Sequence, residues 1–487
     1  MKQPVVIIQE SEDWTAVEHN SINAVVQVFA QIAEFNWLEP YKIDNHYEQR
    51  GTGFIISDDG EIITSAHVID QAKMVWVQMP ILGQKNLYVD SISFCPDRDL
   101  ALLRLRPREL QEIKAVLSVF PKLLCGDSDK LGRTDKILVL GYPLGQYHLK
   151  STTGIVSGRE VTNDRTYLQI TAPINPGNSG GPLLTLTGEV VGIAVAAAEP
   201  AQNVGYAVPI NEVTLVLEDM RSQPLVRKHM LGIRFNNASD ILAGYLGNPI
   251  PSGLYINNVI QGSLSDQAGL KAGDVLYQFN DIKIDEFGEA SVEWSVDKVT
   301  IYDLISRLQS NQQVKLVVYR KGVRTEVSFI FGTTSLLPIR TRYPQYETID
   351  YEVIAGMVIM ELDNNHIDLL GEINPFLINY VKIEHRIHPQ LIVTHIVPGS
   401  LVHQIHSFGA GSLLQKINGI AVGTLEELRN ALKQSIKTSF MTIETTDDIL
   451  VVFLIQEVLD TENQRARDFM YPVSSGVQQL QKLVKQK

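Results

Sequence analysis

The stretch INPGNSGGP, residues Ile174 to Pro182, places three glycines and two prolines around one serine, Ser179. This composition suits a tight turn, because glycine and proline each supply backbone conformations that turns need. A phosphate-binding loop would instead require a lysine before a serine or threonine and then a helix, whereas Pro182 and the strand-like LLTL follow here. Two interpretations remain: a plain turn, or a loop that carries a nucleophile.

A nucleophilic Ser179 would need a histidine to take its proton and a carboxylate to orient that histidine. Four histidines precede it in the chain: His19, His46, His67 and His148. His67 ends a predicted hairpin strand in IITSAHVI, where a β-barrel would hold it rigidly. Asp97 and Asp99 both lie immediately before an apolar strand and could supply the acid. Taken singly, each of these residues also fits a core or loop role.

The surrounding region, from Thr52 to about Pro209, consists of short apolar segments separated by turn signals. The Asp59-Gly60 pair predicts a hairpin, and the density of strands predicts an all-β sandwich or barrel. Within this β-rich unit the order His67, Asp99, Ser179 is that of chymotrypsin-like proteases.

Two later segments are variants of each other, residues 253–284 and 391–422. The motif VIQGSL in the first aligns with IVPGSL in the second, and GDVLYQFNDIKI aligns with GSLLQKINGIAV. Each is followed by a helical stretch and then by strands. The pattern predicts an internal repeat of two related domains.

Bulk properties exclude several function classes. The net charge of −13 argues against a nucleic-acid partner, because phosphate neutralisation needs clustered Lys and Arg. Cys95 and Cys125 form neither a disulfide framework nor a metal-ligand spacing, and we expect no metal or cofactor. No apolar run approaches the ~20 residues that span a bilayer. The first residues lack the apolar core of a signal peptide, so we expect a cytoplasmic protein or one exported without a Sec signal.

The motifs TSAHVI, DLALL and INPGNSGGPLL together resemble the active-site motifs of the HtrA/Deg serine proteases, and the two repeats resemble their PDZ domains. The resemblance extends from about Val25 to about Asp468, and it selects Asp99 as the acid. It implies a mainly β fold, with a chymotrypsin-like double β-barrel followed by two α+β PDZ domains. The segments YEVIAGMVIMEL and INGIAVGTLEELRNAL are most similar to the plant-type Deg branch.

The resemblance also implies domain boundaries. We expect an N-terminal segment (1–19), a protease domain (20–222), a first PDZ domain (226–333), a linker (334–350), a degenerate second PDZ domain (351–468) and a C-terminal tail (469–487). In the second repeat, Ser412 stands where Asp274 stands in the first.

By the same resemblance, His67, Asp99 and Ser179 form a catalytic triad. The backbone of Gly177, Asn178 and Ser179 forms the oxyanion hole, with Gly177 and Ser179 as the N–H donors. The expected substrate pocket comprises Pro173, Ile193, Ala194 and Val195. Because Pro173 is not an acid, cleavage after Lys or Arg is disfavoured, and small or medium apolar residues are expected before the cut.

The implied function is ATP-independent degradation of unfolded or exposed polypeptides. Its alternative is a catalytically silent chaperone or PDZ scaffold. Leu231, Gly232 and Ile233 match the loop that captures the C-terminal carboxylate of a peptide in the first PDZ domain. Arg159 and Arg165 match a regulatory sensor loop. The resemblance further implies a homo-oligomer built on trimers, or a hexamer as in the plant-type branch.

Overall fold

The computed structural model describes residues 14–42, 45–162, 165–195, 204–332 and 336–485. The chain forms two compact units. Unit 1 contains residues 1–32 and 47–334, and unit 2 contains residues 33–46 and 335–487. The residues outside these ranges include 1–13 of the predicted N-terminal segment, 486–487 of the predicted C-terminal tail and the start of the predicted linker. They also include Ala196 to Ala198, which follow the predicted pocket residue Val195.

The first half of the protease region is a closed barrel with the strand order β1-β2-β3-β6-β5-β4. Its strands are β1 (Val25–Glu34), β2 (Asn45–Ile55), β3 (Glu61–Thr64), β4 (Ala72–Gln78), β5 (Leu87–Cys95) and β6 (Leu100–Leu105). The predicted hairpin joins β2 to β3, and Gly60 has a φ of 76°, which glycine adopts at no steric cost.

The second half is another closed barrel, with the order β10-β11-β12-β9-β8-β7. Its strands are β7 (Lys136–Gly141), β8 (Lys150–Thr162), β9 (Arg165–Ile170), β10 (Pro182–Leu184), β11 (Val190–Val195) and β12 (Gly205–Pro209). The protease region also contains helices α1 (Trp14–Ser21), α2 (Ala66–Ile69), α3 (Pro107–Val116) and α4 (Ile210–Ser222). The two barrels confirm the predicted mainly β double-barrel fold.

The remainder of unit 1 is a small α+β domain. Its main sheet has the order β13-β14-β15-β19-β20, with β16 paired to β15, and β17 pairs with β18. The strands are β13 (Ile233–Asn237), β14 (Leu254–Val259), β15 (Val275–Phe279), β16 (Ile282–Lys283), β17 (Glu289–Ala290), β18 (Val299–Thr300), β19 (Gln313–Arg320) and β20 (Val323–Ile330). Its helices are α5 (Asp240–Tyr245), α6 (Leu264–Gln267) and α7 (Ile301–Ser306).

Unit 2 contains the second repeat, built on a sheet with the order β21-β22-β23-β24-β26-β27 and with β25 paired to β24. The strands are β21 (Tyr351–Ile354), β22 (Met357–Glu361), β23 (Leu391–Ile396), β24 (Leu413–Ile417), β25 (Ile420–Ala421), β26 (Phe440–Thr445) and β27 (Leu450–Leu454). The helices are α8 (Asn364–Leu370), α9 (Ile383–Arg386), α10 (Leu401–Ile405), α11 (Leu425–Leu432), α12 (Ser435–Thr438), α13 (Ile455–Phe469) and α14 (Ser475–Lys485).

Two features of unit 2 differ from the sequence expectations. Residues 33–46, which we placed in the protease domain, belong to this unit, and the Trp37 side chain is buried in one of its hydrophobic clusters. Helix α14 lies in the predicted C-terminal tail, yet Val477 and Leu480 are buried in the core of the unit. Their apolar spacing along the helix explains why the segment packs.

None of the helices in the described ranges combines the length and the hydropathy that crossing a membrane would require.

Candidate active site

His67 and Asp99 are brought together by two neighbouring strands. Strands β3 and β6 pair side by side, with Thr64 opposite Ala101. His67 lies in the helical turn α2, three residues beyond the end of β3 rather than in the strand itself, and Asp99 immediately precedes β6. The Nδ1 atom of His67 is 2.9 Å from Oδ2 and 3.0 Å from Oδ1 of the Asp99 carboxylate.

The backbone at Asp99 is adapted to this contact. Its φ is 55°, in the left-handed region that a non-glycine residue occupies at a cost, typically where function requires it. Oδ1 also accepts a hydrogen bond from the His67 backbone N–H at 3.0 Å, and the Asp99 carbonyl accepts one from Ala66 N–H at 3.1 Å. Asp97 faces elsewhere, because its carboxylate accepts a hydrogen bond from Lys228 N–H at 2.8 Å.

The electrostatics of this pair favour a protonated imidazole. Burial lowers the pKa of His67, but the hydrogen bond with Asp99 and the negative charge of Asp99 outweigh burial and raise it above the ordinary value. His67 therefore binds a proton more readily than a free histidine does, as a general base must when it accepts one.

This shift predicts the pH dependence of any activity that uses neutral His67. We expect kcat/KM for an uncharged peptide substrate to rise with pH as His67 deprotonates, with a midpoint above the ordinary histidine value of about 6.5. A pH–rate profile measures this midpoint. As a control, His148→Ala should leave the acid limb in place, because His148 is an exposed histidine outside the pair. A midpoint below the ordinary value would contradict the prediction.

The segment before Ser179 is a tight turn. Asn178 N–H donates a hydrogen bond to the Asn175 carbonyl at 3.0 Å. Pro176 and Gly177 occupy the central positions, and Gly177 has a φ of 98°. These are the features of a type II turn, in which glycine takes the third position because its φ is positive. Ser179 follows the turn and is only 4% exposed.

The orientation of the Gly177 N–H follows from the contacts of the preceding carbonyl. Leu144 N–H donates a hydrogen bond to the Pro176 carbonyl at 2.6 Å. In a trans peptide the C=O and the next N–H point in opposite directions, so the Gly177 N–H points away from Leu144. Within the described ranges, no acceptor binds this N–H. The turn itself, by contrast, already engages the Asn178 N–H.

The loop after Ser179 is packed against both barrels. Gly180 N–H donates to the Ala194 carbonyl at 2.9 Å, and Ala194 N–H donates to the Gly181 carbonyl at 2.8 Å. Gly180 has a φ of 86°, and a Cβ at this position would collide with the carbonyl oxygen of Thr52. Only glycine fits there, which explains the glycine that follows the serine.

The predicted pocket residues are not equally accessible. Ile193 and Ala194 are fully buried in the barrel cores, while Val195 is partly exposed and Pro173 is exposed. Because successive side chains of a strand point to opposite faces, β11 presents Ala194 and Val195 to different surroundings. Of the four residues, the structure leaves only Pro173 and Val195 with surface that a substrate could contact.

The sequence assigned no role to Thr52, although Thr52 begins the strand-rich region described above. Thr52 is fully buried, and it forms hydrogen bonds with the backbone of both Gly177 and Ser179. These partners are distant in sequence, so no local pattern could reveal them. The only signal is a hydroxyl residue placed between two glycines, near the end of strand β2.

The predicted peptide loop of the first PDZ-type domain is held by hydrogen bonds to its backbone carbonyls. Gly232 has a φ of 75°, and its carbonyl accepts a hydrogen bond from Ile260 N–H at 2.8 Å. The Leu231 carbonyl accepts one from the Ser265 hydroxyl at 2.7 Å. Ile233 begins β13, which lies at the edge of its sheet. An edge strand can pair with an added peptide strand.

Arg159 lies where the protease region contacts the first PDZ-type domain. It donates to the Ser128 carbonyl at 2.6 Å and lies 3.4 Å from the Asp129 carboxylate. The same carboxylate accepts two hydrogen bonds from Arg307, which directly follows α7, at 2.8 and 3.0 Å. Arg165 instead donates to the Pro96 carbonyl at 2.9 Å, in the turn that precedes Asp99.

Comparisons with known proteins agree with this architecture. Residues 51–193 match the family model of the trypsin-like peptidase domain, and residues 230–330 match that of the PDZ domain. Among solved structures, the HtrA-type protease AlgW with tripeptide superposes with a TM-score of 0.51 at 22% identity, over 65% of this chain and 96% of AlgW. At that identity the likeness concerns the fold.

Two curated relatives carry the name "Probable periplasmic serine endoprotease DegP-like". The protein from Marinomonas sp. (strain MWYL1) is 33% identical over 286 residues, which cover 57% of this chain and 56% of the relative. The protein from Hahella chejuensis (strain KCTC 2396) is 30% identical over 303 residues, which cover 60% of each chain. The matched regions thus span less than two thirds of these relatives.

These names correct the expected location. We expected a cytoplasmic protein or one exported without a Sec signal, whereas the relatives are named periplasmic, which indicates an exported location. The expectation was wrong because it rested on the hydropathy of the first residues. An acidic chain with two free cysteines is compatible with either compartment, so composition could not correct it.

The chain thus matches the trypsin-like peptidase domain and the PDZ domain, and it is similar to proteins named as DegP-like serine endoproteases.

Proposed function

We propose that the protein is an ATP-independent serine endopeptidase that degrades unfolded or exposed polypeptides. The observation that carries the proposal is the Asp99 carboxylate, which accepts hydrogen bonds from both the ring and the backbone of His67. This arrangement orients an imidazole for proton transfer and stabilises its charged form. The relatives named as serine endoproteases support the same activity.

In this mechanism the Ser179 hydroxyl attacks the scissile carbonyl while His67 takes its proton. Asp99 fixes the imidazole tautomer, and His67 then returns the proton to the leaving amine. The backbone N–H groups of Gly177 and Ser179 stabilise the oxyanion of the tetrahedral intermediate. The turn supports this role for Gly177, because its N–H points away from Leu144 and is not engaged by the described residues.

Substrate selection in this proposal favours small or medium apolar residues before the cut. Pro173 and Val195 are apolar and are the accessible members of the predicted pocket. Neither offers a negative charge to a Lys or Arg side chain, so burying a basic side chain beside them would be costly.

Regulation and assembly belong to the same proposal. Peptide C-termini would bind Leu231, Gly232 and Ile233 and extend along the edge strand β13. The contacts of Arg159 and Arg165 support a relay from the PDZ domain to the protease. Assembly into trimers, or into hexamers as in the plant-type Deg branch, rests on sequence likeness alone. Membership of that branch rests on the same likeness, and the relatives reported above are bacterial. Their names support action outside the cytoplasm.

A peptidyl fluorophosphonate tests the proposed nucleophile and base. We expect the Ser179 Oγ to form a bond to phosphorus with loss of fluoride, and mass spectrometry of the digested protein locates the adduct. His67→Ala should slow labelling strongly because the proton acceptor is lost. The exposed His148, changed to alanine, is the matched control and should label like the wild type. Failure to label Ser179, or undiminished labelling of the His67 variant, would refute these roles.

A further inference from the structure

Thr52 connects the two barrels at the turn beside Ser179. It lies on β2 and is fully buried. Its N–H donates to the Ser179 carbonyl at 2.9 Å, and its hydroxyl donates to the Gly177 carbonyl at 2.7 Å. The same hydroxyl oxygen accepts a hydrogen bond from Tyr142 N–H at 3.1 Å. The Thr52 carbonyl accepts one from the Thr64 hydroxyl at 2.7 Å.

These contacts bear on the direction of the Gly177 N–H. That direction is set by the Pro176 carbonyl, which accepts its hydrogen bond from Leu144 N–H. Reversing the Pro176–Gly177 peptide would break this hydrogen bond. The Thr52 hydroxyl contacts the chain on both sides of the Leu144–Pro176 hydrogen bond. On one side it accepts a hydrogen bond from Tyr142 N–H, in the segment that carries Leu144. On the other side it donates to the Gly177 carbonyl in the turn. It therefore fixes the distance between that segment and the turn.

Leu144 is itself held in an unusual conformation. Its φ is 56°, a left-handed value that costs free energy for a residue with a Cβ. Such a conformation persists only where surrounding contacts enforce it. The hydrogen bond from Tyr142 to the Thr52 hydroxyl is one of those contacts, two residues earlier in the same segment.

Thr52 also reaches toward the proposed base. Thr64, whose hydroxyl donates to the Thr52 carbonyl, is the last residue of β3 and lies three residues before His67. One buried residue thus contacts the strand that leads to His67 and the turn that leads to Ser179. The backbone contacts and the hydroxyl contacts of Thr52 can be separated by mutation. Any residue supplies the carbonyl and the N–H, whereas only threonine or serine supplies the hydroxyl.

We propose that Thr52 is a positioning residue, whose hydroxyl holds the Pro176–Gly177 peptide in the orientation that presents the Gly177 N–H to the oxyanion. The inference rests on the proposed protease function and assigns to this chain a residue that acts through Gly177. A donor that is held in place before the reaction need not be reorganised during it, which is the source of its catalytic effect.

The test compares Thr52→Val with Thr52→Ser in the full-length protein. Valine preserves the shape of threonine but lacks the hydroxyl, whereas serine keeps it. On a fluorogenic peptide substrate, we expect Thr52→Val to lower kcat about 10- to 100-fold with KM unchanged, less than the roughly 10²- to 10³-fold cost of deleting an oxyanion donor. Thr52→Ser should retain most of the wild-type kcat.

A peptide aldehyde supplies a second readout. Its adduct with Ser179 carries an oxyanion at the same position as the reaction intermediate, so its inhibition constant should rise by the factor by which kcat/KM falls. The matched control is Thr394→Val, which removes another fully buried threonine hydroxyl, one that donates to the Leu38 carbonyl within unit 2. This control should leave kcat and aldehyde affinity unchanged. Thermal unfolding of each variant reports whether it folds.

The outcomes separate the inference from the proposed function. Normal kcat and aldehyde affinity in a folded Thr52→Val variant would overturn the role of the hydroxyl while leaving the protease intact. Equal losses in the valine and serine variants would also overturn it, as would an effect confined to KM. If Thr52→Val fails to fold, Thr52→Ala, which also lacks the hydroxyl, takes its place, and normal kcat and aldehyde affinity in that variant would overturn the role of the hydroxyl. A wild-type protein without Ser179-dependent cleavage would overturn both proposals.

Discussion

Casein turnover by the Ser179→Ala variant is expected to fall by about 10⁶-fold, the scale of nucleophile removal in a serine protease. The substitution deletes the hydroxyl that would attack the carbonyl, while the turn and the hydrogen bonds of the Ser179 backbone remain. The measurement is the release of soluble fluorescent peptides from labelled casein. Product that remains at high enzyme concentration reflects substrate binding and oxyanion stabilisation without a nucleophile.

Ser93→Ala is the matched control for this experiment. Ser93 is another buried serine of the protease region, on strand β5, and its hydroxyl has no hydrogen-bond partner within the described ranges. Its removal should therefore leave casein turnover near the wild-type level. If Ser179→Ala degraded casein as fast as the wild type, the protease proposal would fail, and a client-holding scaffold would be the surviving interpretation.

The second large effect is expected for Asp99→Asn, which should lower kcat by about 10⁴-fold. Asparagine keeps the size of the side chain but loses the negative charge, so it stabilises neither the correct imidazole tautomer nor the imidazolium. Asp99→Asn also removes the negative charge and the hydrogen bond that raise the pKa of His67. The burial of His67 remains, and burial lowers that pKa. The acid limb of the residual activity should therefore shift to lower pH.

Asp97→Asn provides the control from the same turn. Asp97 is equally plausible as the acid by residue chemistry alone, but its carboxylate accepts a hydrogen bond from Lys228 N–H, a contact that an asparagine oxygen can also make. We expect near-normal kcat and an unmoved acid limb. A pH–rate comparison of the two variants decides the assignment, since a large loss in Asp97→Asn with a normal Asp99→Asn would reverse it.

The β-rich fold and the order of the three proposed catalytic residues could be predicted because each leaves a local trace, whereas the double barrel was implied only by the resemblance to a known family. Strands are marked by apolar segments between turns, and Ser179 is marked by its glycines. The choice between Asp97 and Asp99 left no such trace, because it depends on a left-handed backbone at Asp99 that aims one carboxylate at His67. Residue chemistry alone could not make that choice.

Contacts between distant parts of the chain were the least predictable. The hydroxyl of Thr52 meets Gly177 across a sequence separation of 125 residues, and nothing in either segment records the pairing. Burial of Ile193 and Ala194 depends on how the barrel closes, so an apolar strand could be read equally well as core or as pocket. The packing of Trp37 into unit 2 is another such contact.

The position of Trp37 has a consequence for the order of synthesis. Residues 33–46 leave the ribosome early, but the rest of unit 2 begins only at Ser335. At about 5 to 20 residues per second, the segment waits tens of seconds for the cluster that buries its tryptophan. Throughout that interval Trp37 lacks most of its hydrophobic cluster, and of that cluster only neighbours in its own segment, such as Phe35, are present to contact it. The nascent chain therefore exposes hydrophobic surface near its N-terminus until its last third has been synthesised.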